Sequence, residues 1–248
     1  MTQKRSVSAA RKLHGPVVLL SLLFVSAGLA FAGNVDIVLV NPGTWDSGHA
    51  LAMGNVYVGP YNIMVNGRQE MVICDDAMDE VYSGETWRAV TSTIAGGLSH
   101  VKWNGVNITV RVDGNSSAES LNRLQEYEAI QYLAKLIMAN LSHPTTVGEI
   151  QWAIWDLTDP GLINQTNGNE PWGNVSPYLS NIDGYIQAGI NNDGGSSSQS
   201  VIYTPTGREQ EYVQITPEPA SLTLLGTGLL AVVAGLRKKK AARITSPV

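Results

Sequence analysis

The sequence predicts an α+β domain: a β-sandwich or barrel-like sheet subdomain with an inserted helical subdomain, framed by an N-terminal signal and a C-terminal transmembrane helix. Three observations predict it. Apolar residues alternate through much of residues 34–112, which is the strand period. They recur at three and four residues through 116–141 and again through 146–157, which is the helix period. Each end of the chain carries an apolar run flanked by basic side chains.

At the N-terminus, Lys4, Arg5, Arg11 and Lys12 precede the apolar run from Pro16 to Leu29, and Ala30-Phe31-Ala32 has the small-x-small form of a cleavage site. This is a secretory signal peptide over residues 1–32. The run is short for an uncleaved membrane span, which needs about 20 residues. Cleavage leaves an exported domain over 33–213. Its β part is expected at about 33–115 and 200–213, and its helical part at about 116–190.

Within the β part, "VDIVLV" (Val35 to Val40) is β-branched and stops at an Asn-Pro-Gly turn. Two alternating runs flank Asn66-Gly67, a strong hairpin signal, and the second ends on Cys74. The same device is expected around Asn104-Gly105. Between them lie Asp75, Asp76, Asp79 and Glu80, whose spacing fits no calcium loop and reads as a solvated turn or helix-terminal charge.

The helical part opens at Ser116, with Glu119 at capping-box spacing. Tyr127, Ile130, Ala134, Ile137 and Leu141 form an apolar stripe. A second helix is expected from Thr146, with Glu149 three residues on. It carries Gln151, Trp152, Ile154 and Trp155 and stops before Asp159-Pro160. Gln151 and Trp155 are neighbours on its surface. A short helix over 178–190 and two closing strands, "QSVIYTP" and "EQEYVQITP", complete the domain.

Composition narrows the function. Over residues 33–216 there are 7 basic and 20 acidic side chains, a net charge of −13. Nucleic acid is therefore excluded as a partner, since phosphate contact needs a basic surface. No histidine sits in a zinc-binding pattern, and no nucleophile elbow, phosphate loop or dinucleotide fingerprint is present. The sequence calls for no metal or other cofactor and for no turnover enzyme. The six tryptophans, three of them expected in loops (Trp45, Trp103, Trp172), offer ring faces for sugars or serve as core anchors.

The single cysteine, Cys74, forms no intramolecular disulfide and is either a buried, inert side chain or a reactive one. Gln151, set in an apolar helix, is either a bridging amide or its acyl partner. A thiol can attack a glutamine carboxamide and expel ammonia if the two are held in contact away from water. The product is an internal thioester, open to attack by an amine or a sugar hydroxyl.

The C-terminal end, 214–248, reads as Pro217-Glu218-Pro219, an uncharged helix at 220–236, and a basic stop at Arg237, Lys238, Lys239 and Lys240. This order resembles the PEP-CTERM protein-sorting tag of Gram-negative bacteria. The resemblance implies export, transient membrane retention and cutting near Pro217 to Pro219 by an exosortase-type enzyme, in a host that makes exopolysaccharide or biofilm. Separately, "IQWAIWD" (Ile150 to Asp156) and "VICDD" (Val72 to Asp76) resemble the glutamine and cysteine motifs of bacterial surface thioester domains, with Ile150 where that family usually has Thr. That resemblance implies a Cys74–Gln151 thioester, with Trp152, Ile154 and Trp155 forming its dry surround. It also implies covalent adhesion to an exopolysaccharide or surface-protein nucleophile.

Overall fold

The computed structural model describes residues 33–214, apart from residues 43, 46–48, 51, 55, 113, 166–173 and 193–199. The signal peptide, the sorting segment with Pro217, Glu218, Pro219 and Arg237 to Lys240, and Trp172 lie outside the described residues. Among the described residues no helix is long and apolar enough to cross a membrane, and the helix expected at 220–236 is not among them.

The chain is mostly β. Strands β1 (Asn34–Asn41), β2 (Thr44–Trp45), β3 (His49–Ala50), β4 (Ala52–Met53), β5 (Val56–Tyr57), β6 (Pro60–Val65), β7 (Arg68–Cys74) and β8 (Thr86–Thr93) come first. The hairpin β9 (Val106–Val112) and β10 (Asn115–Leu121) follows, and β11 (Val201–Pro205) and β12 (Tyr212–Gln214) come last. Six strands close into an antiparallel barrel in the order β1-β6-β7-β12-β11-β8. Helices α1 (Arg123–Ala139), α2 (Pro144–Thr158), α3 (Leu162–Gln165) and α4 (Leu179–Asn191) lie in sequence between β10 and β11.

Alternation along the strands divides the core in two. Ile37, Ile63, Val72, Cys74, Trp87 and Tyr212 fill the barrel interior. Ile73, Ile202 and Val213 point outward and join the helices in a second apolar core. Helix α2 sits centrally in that core. Every residue from Val147 to Thr158 is buried, the pattern of a helix enclosed on all sides.

The Asn66-Gly67 hairpin forms as expected, joining β6 to β7 with φ of 48° and 82°, the left-handed values such a turn requires. Three other expectations are corrected. Ser116 to Glu119 do not open a helix; they belong to β10, whose full ladder with β9 satisfies backbone groups that one side-chain cap could not. The helix starts at Arg123 instead, and its capping box is Asn122 with Gln125. No hairpin forms at Asn104-Gly105; the Gly105 N–H bonds to Glu126 Oε2 at 2.6 Å. Helix α2 starts at Pro144 rather than Thr146. Proline's fixed φ suits a first turn, and Glu149 accepts from Asn181 Nδ2 at 2.8 Å instead of capping.

Candidate functional site between barrel and helices

Strand β7 ends at Cys74, and α2 crosses this end of the barrel. The two elements bring Cys74 and Gln151 together across 77 residues of sequence. Both side chains are 0 % exposed. Gln151 Nε2 donates to the Cys74 carbonyl at 2.6 Å, and the Gly59 N–H donates to Gln151 Oε1 at 3.3 Å. Gly59 reaches this position with φ of 91°, which its lack of a Cβ permits. The carboxamide thus links α2 to two barrel segments, and its carbonyl carries a donor that polarises it.

The Cys74 thiol donates to the Asp76 carbonyl at 3.0 Å. Burial pushes its pKa well up, and the Asp76 carboxylate adds to the shift, so the sulfur is held as S–H. Trp155 stands beside it and pulls the other way, favouring the thiolate. The buried Trp155 indole N–H has no hydrogen-bond partner. Trp152 packs edge-on against Trp155 with centroids 5.3 Å apart, and Ile154 is buried in the helical core. All three side chains are buried.

The acidic cluster differs from its expected solvated state. Asp75 and Asp76 are fully buried. Asp76 pairs with the Lys102 ammonium, which also bonds Asp79, and it accepts from the N–H groups of Met78 and Asp79. Burial raises the Asp76 pKa against the pull of Lys102. Asp75 lies opposite Glu211 of the neighbouring strand segment, joined by the bond from Asp75 N–H to Glu211 C=O at 3.3 Å. Glu211 accepts from the Tyr127 and Thr204 hydroxyls and from the Lys102 N–H. Glu80 is exposed and accepts from the Tyr82 hydroxyl at 2.8 Å. Among the described residues no group of histidine, cysteine and acidic side chains has the geometry of a metal site.

Sequence reasoning missed Gly59, Lys102 and Glu211. The Gly59-Pro60 dipeptide is a turn signal that marks a special backbone position; the other two act across long sequence separations that no local pattern encodes. Of the three loop tryptophans expected to offer ring faces, Trp103 is partly buried beneath the Lys102 ammonium, 5.5 Å from its centroid.

Residues 216–239 match the PEP-CTERM protein-sorting motif. The motif marks the chain as an exported protein, sorted to the cell surface and processed by an exosortase-type enzyme. No curated protein and no solved structure matches the chain. The thioester-domain resemblance of the central region finds no support among these comparisons.

Proposed function

We propose that the domain is a single-turnover attachment module of a Gram-negative cell surface or biofilm matrix, armed by an internal thioester between Cys74 and Gln151. The observation that carries this is the placement of the Gln151 carboxamide. It is fully buried, hydrogen-bonded to the main chain of Cys74, and polarised by the Gly59 N–H. In forming the bond, the Cys74 sulfur attacks Gln151 Cδ, a C–S bond replaces the C–N bond, and the thiol proton leaves with the amide nitrogen as ammonia. Trp155 eases the step by stabilising charge on sulfur. Proximity and exclusion of water supply the remaining advantage. An amine or hydroxyl on a matrix partner then takes the acyl group and releases the thiol, so the protein is consumed rather than turned over. The signal peptide takes the module across the inner membrane, and the sorting segment holds it there until it is cut near Pro217 to Pro219.

Intact mass of the purified chain tests the reading. The expected mass is lighter by one ammonia than the sequence requires, and methylamine restores and shifts it. A mass equal to that of the unmodified chain, with Cys74 fully alkylated after unfolding, would sink the thioester.

A further inference from the structure

Trp155, which favours the thiolate of Cys74, also lines an open cleft of about 370 Å³, within the size range of small-ligand sites. Leu39 and Tyr61 form buried parts of its wall. Its lining also includes two tyrosines that face solvent: Tyr57 is 54 % and Tyr82 68 % exposed.

The Tyr82 ring and the Tyr57 backbone are held in place. The Tyr82 hydroxyl donates to Glu80, and its N–H donates to Glu85 Oε2 at 2.9 Å, so both ends of the residue are tied. The Tyr57 carbonyl accepts the Tyr61 hydroxyl at 2.9 Å, which anchors its backbone to the barrel wall. An exposed aromatic held in place offers a flat apolar surface without the entropy cost of ordering it on binding.

The polar groups of the lining decide the ligand. Glu80 and Asp79 supply planar acceptors, and Ser83 a hydroxyl. The charge of Asp79 is already matched by Lys102, and Glu80 is exposed and screened. A cationic ligand would find no uncompensated buried carboxylate here. An uncharged polyol, with apolar ring faces and hydroxyl edges, fits the combination of tyrosine faces and planar acceptors.

We propose that this cleft is a glycan-binding site, in which a neutral sugar at a chain end stacks on Tyr57 and Tyr82 while Glu80 and Ser83 meet its hydroxyls. Bound there, the sugar lies against Trp155, the lining residue that belongs to the same helix as Gln151. A second role rests on the thioester reading above: the hydroxyl oxygen attacks Gln151 Cδ, a C–O bond replaces the C–S bond, and the hydroxyl proton passes to the Cys74 sulfur. The binding itself needs no thioester.

The test is a titration of the purified full chain with neutral gluco-, manno- and galacto-oligosaccharides, read by tryptophan fluorescence and calorimetry, with spermidine as the cationic probe. At least one sugar series should bind saturably to the wild type and to Cys74→Ala alike. Tyr82→Ala, which removes an exposed ring, should keep its melting temperature and weaken binding by about tenfold or more. Tyr82→Phe, which keeps the ring and loses only the bond to Glu80, should weaken it less. Absence of saturable sugar binding, sugar binding indifferent to Tyr82→Ala, or saturation by spermidine alone would each overturn the glycan site. Intact mass reads the thioester independently. An unmodified chain that still binds through Tyr82 removes only the acyl-transfer role, and a thioester-bearing chain that binds no sugar removes only the cleft.

Discussion

Asp75 and Glu211 face each other across adjacent strand segments, both 0 % exposed, one step beyond the Cys74–Tyr212 pair in the ladder. Neither Asp75 oxygen has a donor from any other group, while Glu211 is ringed by the Tyr127, Thr204 and Lys102 donors. Two carboxylates cannot both be ionised in that space, so the pair holds a proton. Burial and the neighbouring Glu211 raise the Asp75 pKa well up, and burial raises that of Glu211.

The consequence for stability has a definite sign. A carboxyl whose pKa is raised on folding binds its proton more tightly in the native state, so stability falls as pH rises from the unfolded value toward the folded one. Burial also raises Glu126 to about 7 and Asp156 to about 6. The domain should therefore be most stable in mild acid and lose stability between roughly pH 4 and pH 7, with the Asp75–Glu211 pair extending the loss further. Thermal melts at several pH values should show a drop of roughly 5 °C or more between pH 5 and pH 8. Asp75→Asn, which offers Glu211 a permanent donor, should flatten that slope. A melting temperature that rises from pH 5 to pH 8 would contradict the assignment.

Gln151 serves the fold as well as the proposed chemistry, and substitutions separate the two. Gln151→Ala leaves the Gly59 N–H and the Cys74 carbonyl without their partner in a dry interface, besides opening a cavity. A loss of about 2–4 kcal/mol is expected in denaturant titration. Cys74→Ser nearly conserves volume and should cost no more than about 1–2 kcal/mol while abolishing any mass deficit. A mass deficit that persists in Cys74→Ser would assign the lost ammonia to some other reaction.

What could be read from the sequence was local. The Asn66-Gly67 turn was legible because its backbone demands φ values that few residues other than Asn and Gly adopt. Most of the expected stripe was legible because burial imposes the helical period: Tyr127, Ile130, Ala134 and Ile137 are buried, while Leu141 lies past the helix end and is only partly buried. Strand β10 was not, because Ser116 and Glu119 match a capping box by spacing alone and the partner strand that outweighs it is a tertiary fact. The hydrogen bond from Gln151 to the Cys74 main chain joins residues 77 apart, which have no local signature. Lys102 reaching Asp76 and Asp79, and Glu211 closing on Asp75, needed the closed barrel before they could be seen.

Gly105 is the clearest backbone requirement. It sits at φ of 94°, and a Cβ there would lie 2.6 Å from the Leu121 carbonyl oxygen. Its N–H meets Glu126, which also draws the start of α1 toward this turn. Gly105→Ala forces either the positive φ on a side chain or a shift of two backbone segments, and should cost about 1–3 kcal/mol. Gly67→Ala has a positive φ but open space around it, and should cost less. Equal losses in paired denaturant titrations would show that the steric contact is relieved without effect.

Lys102 holds the segment after the barrel's acidic turn in place. Its ammonium meets Asp76 and Asp79, its N–H meets Glu211, and its neighbour Trp103 donates an N–H to the Tyr127 hydroxyl at 3.2 Å. Lys102→Met removes only the charge, leaving the backbone bonds and most of the stem. Asp76 would then be a buried carboxylate with the Met78 and Asp79 N–H groups as its main support. Because Lys102 is partly exposed, the expected loss is about 1–3 kcal/mol rather than the larger cost of breaking a fully buried pair. The loss should shrink in acid as Asp76 takes up a proton, because burial already raises its pKa. Denaturant titrations of wild type and Lys102→Met at pH 4.5 and pH 7.5 measure this, and a loss that does not depend on pH would mean that Lys102 acts through packing rather than charge.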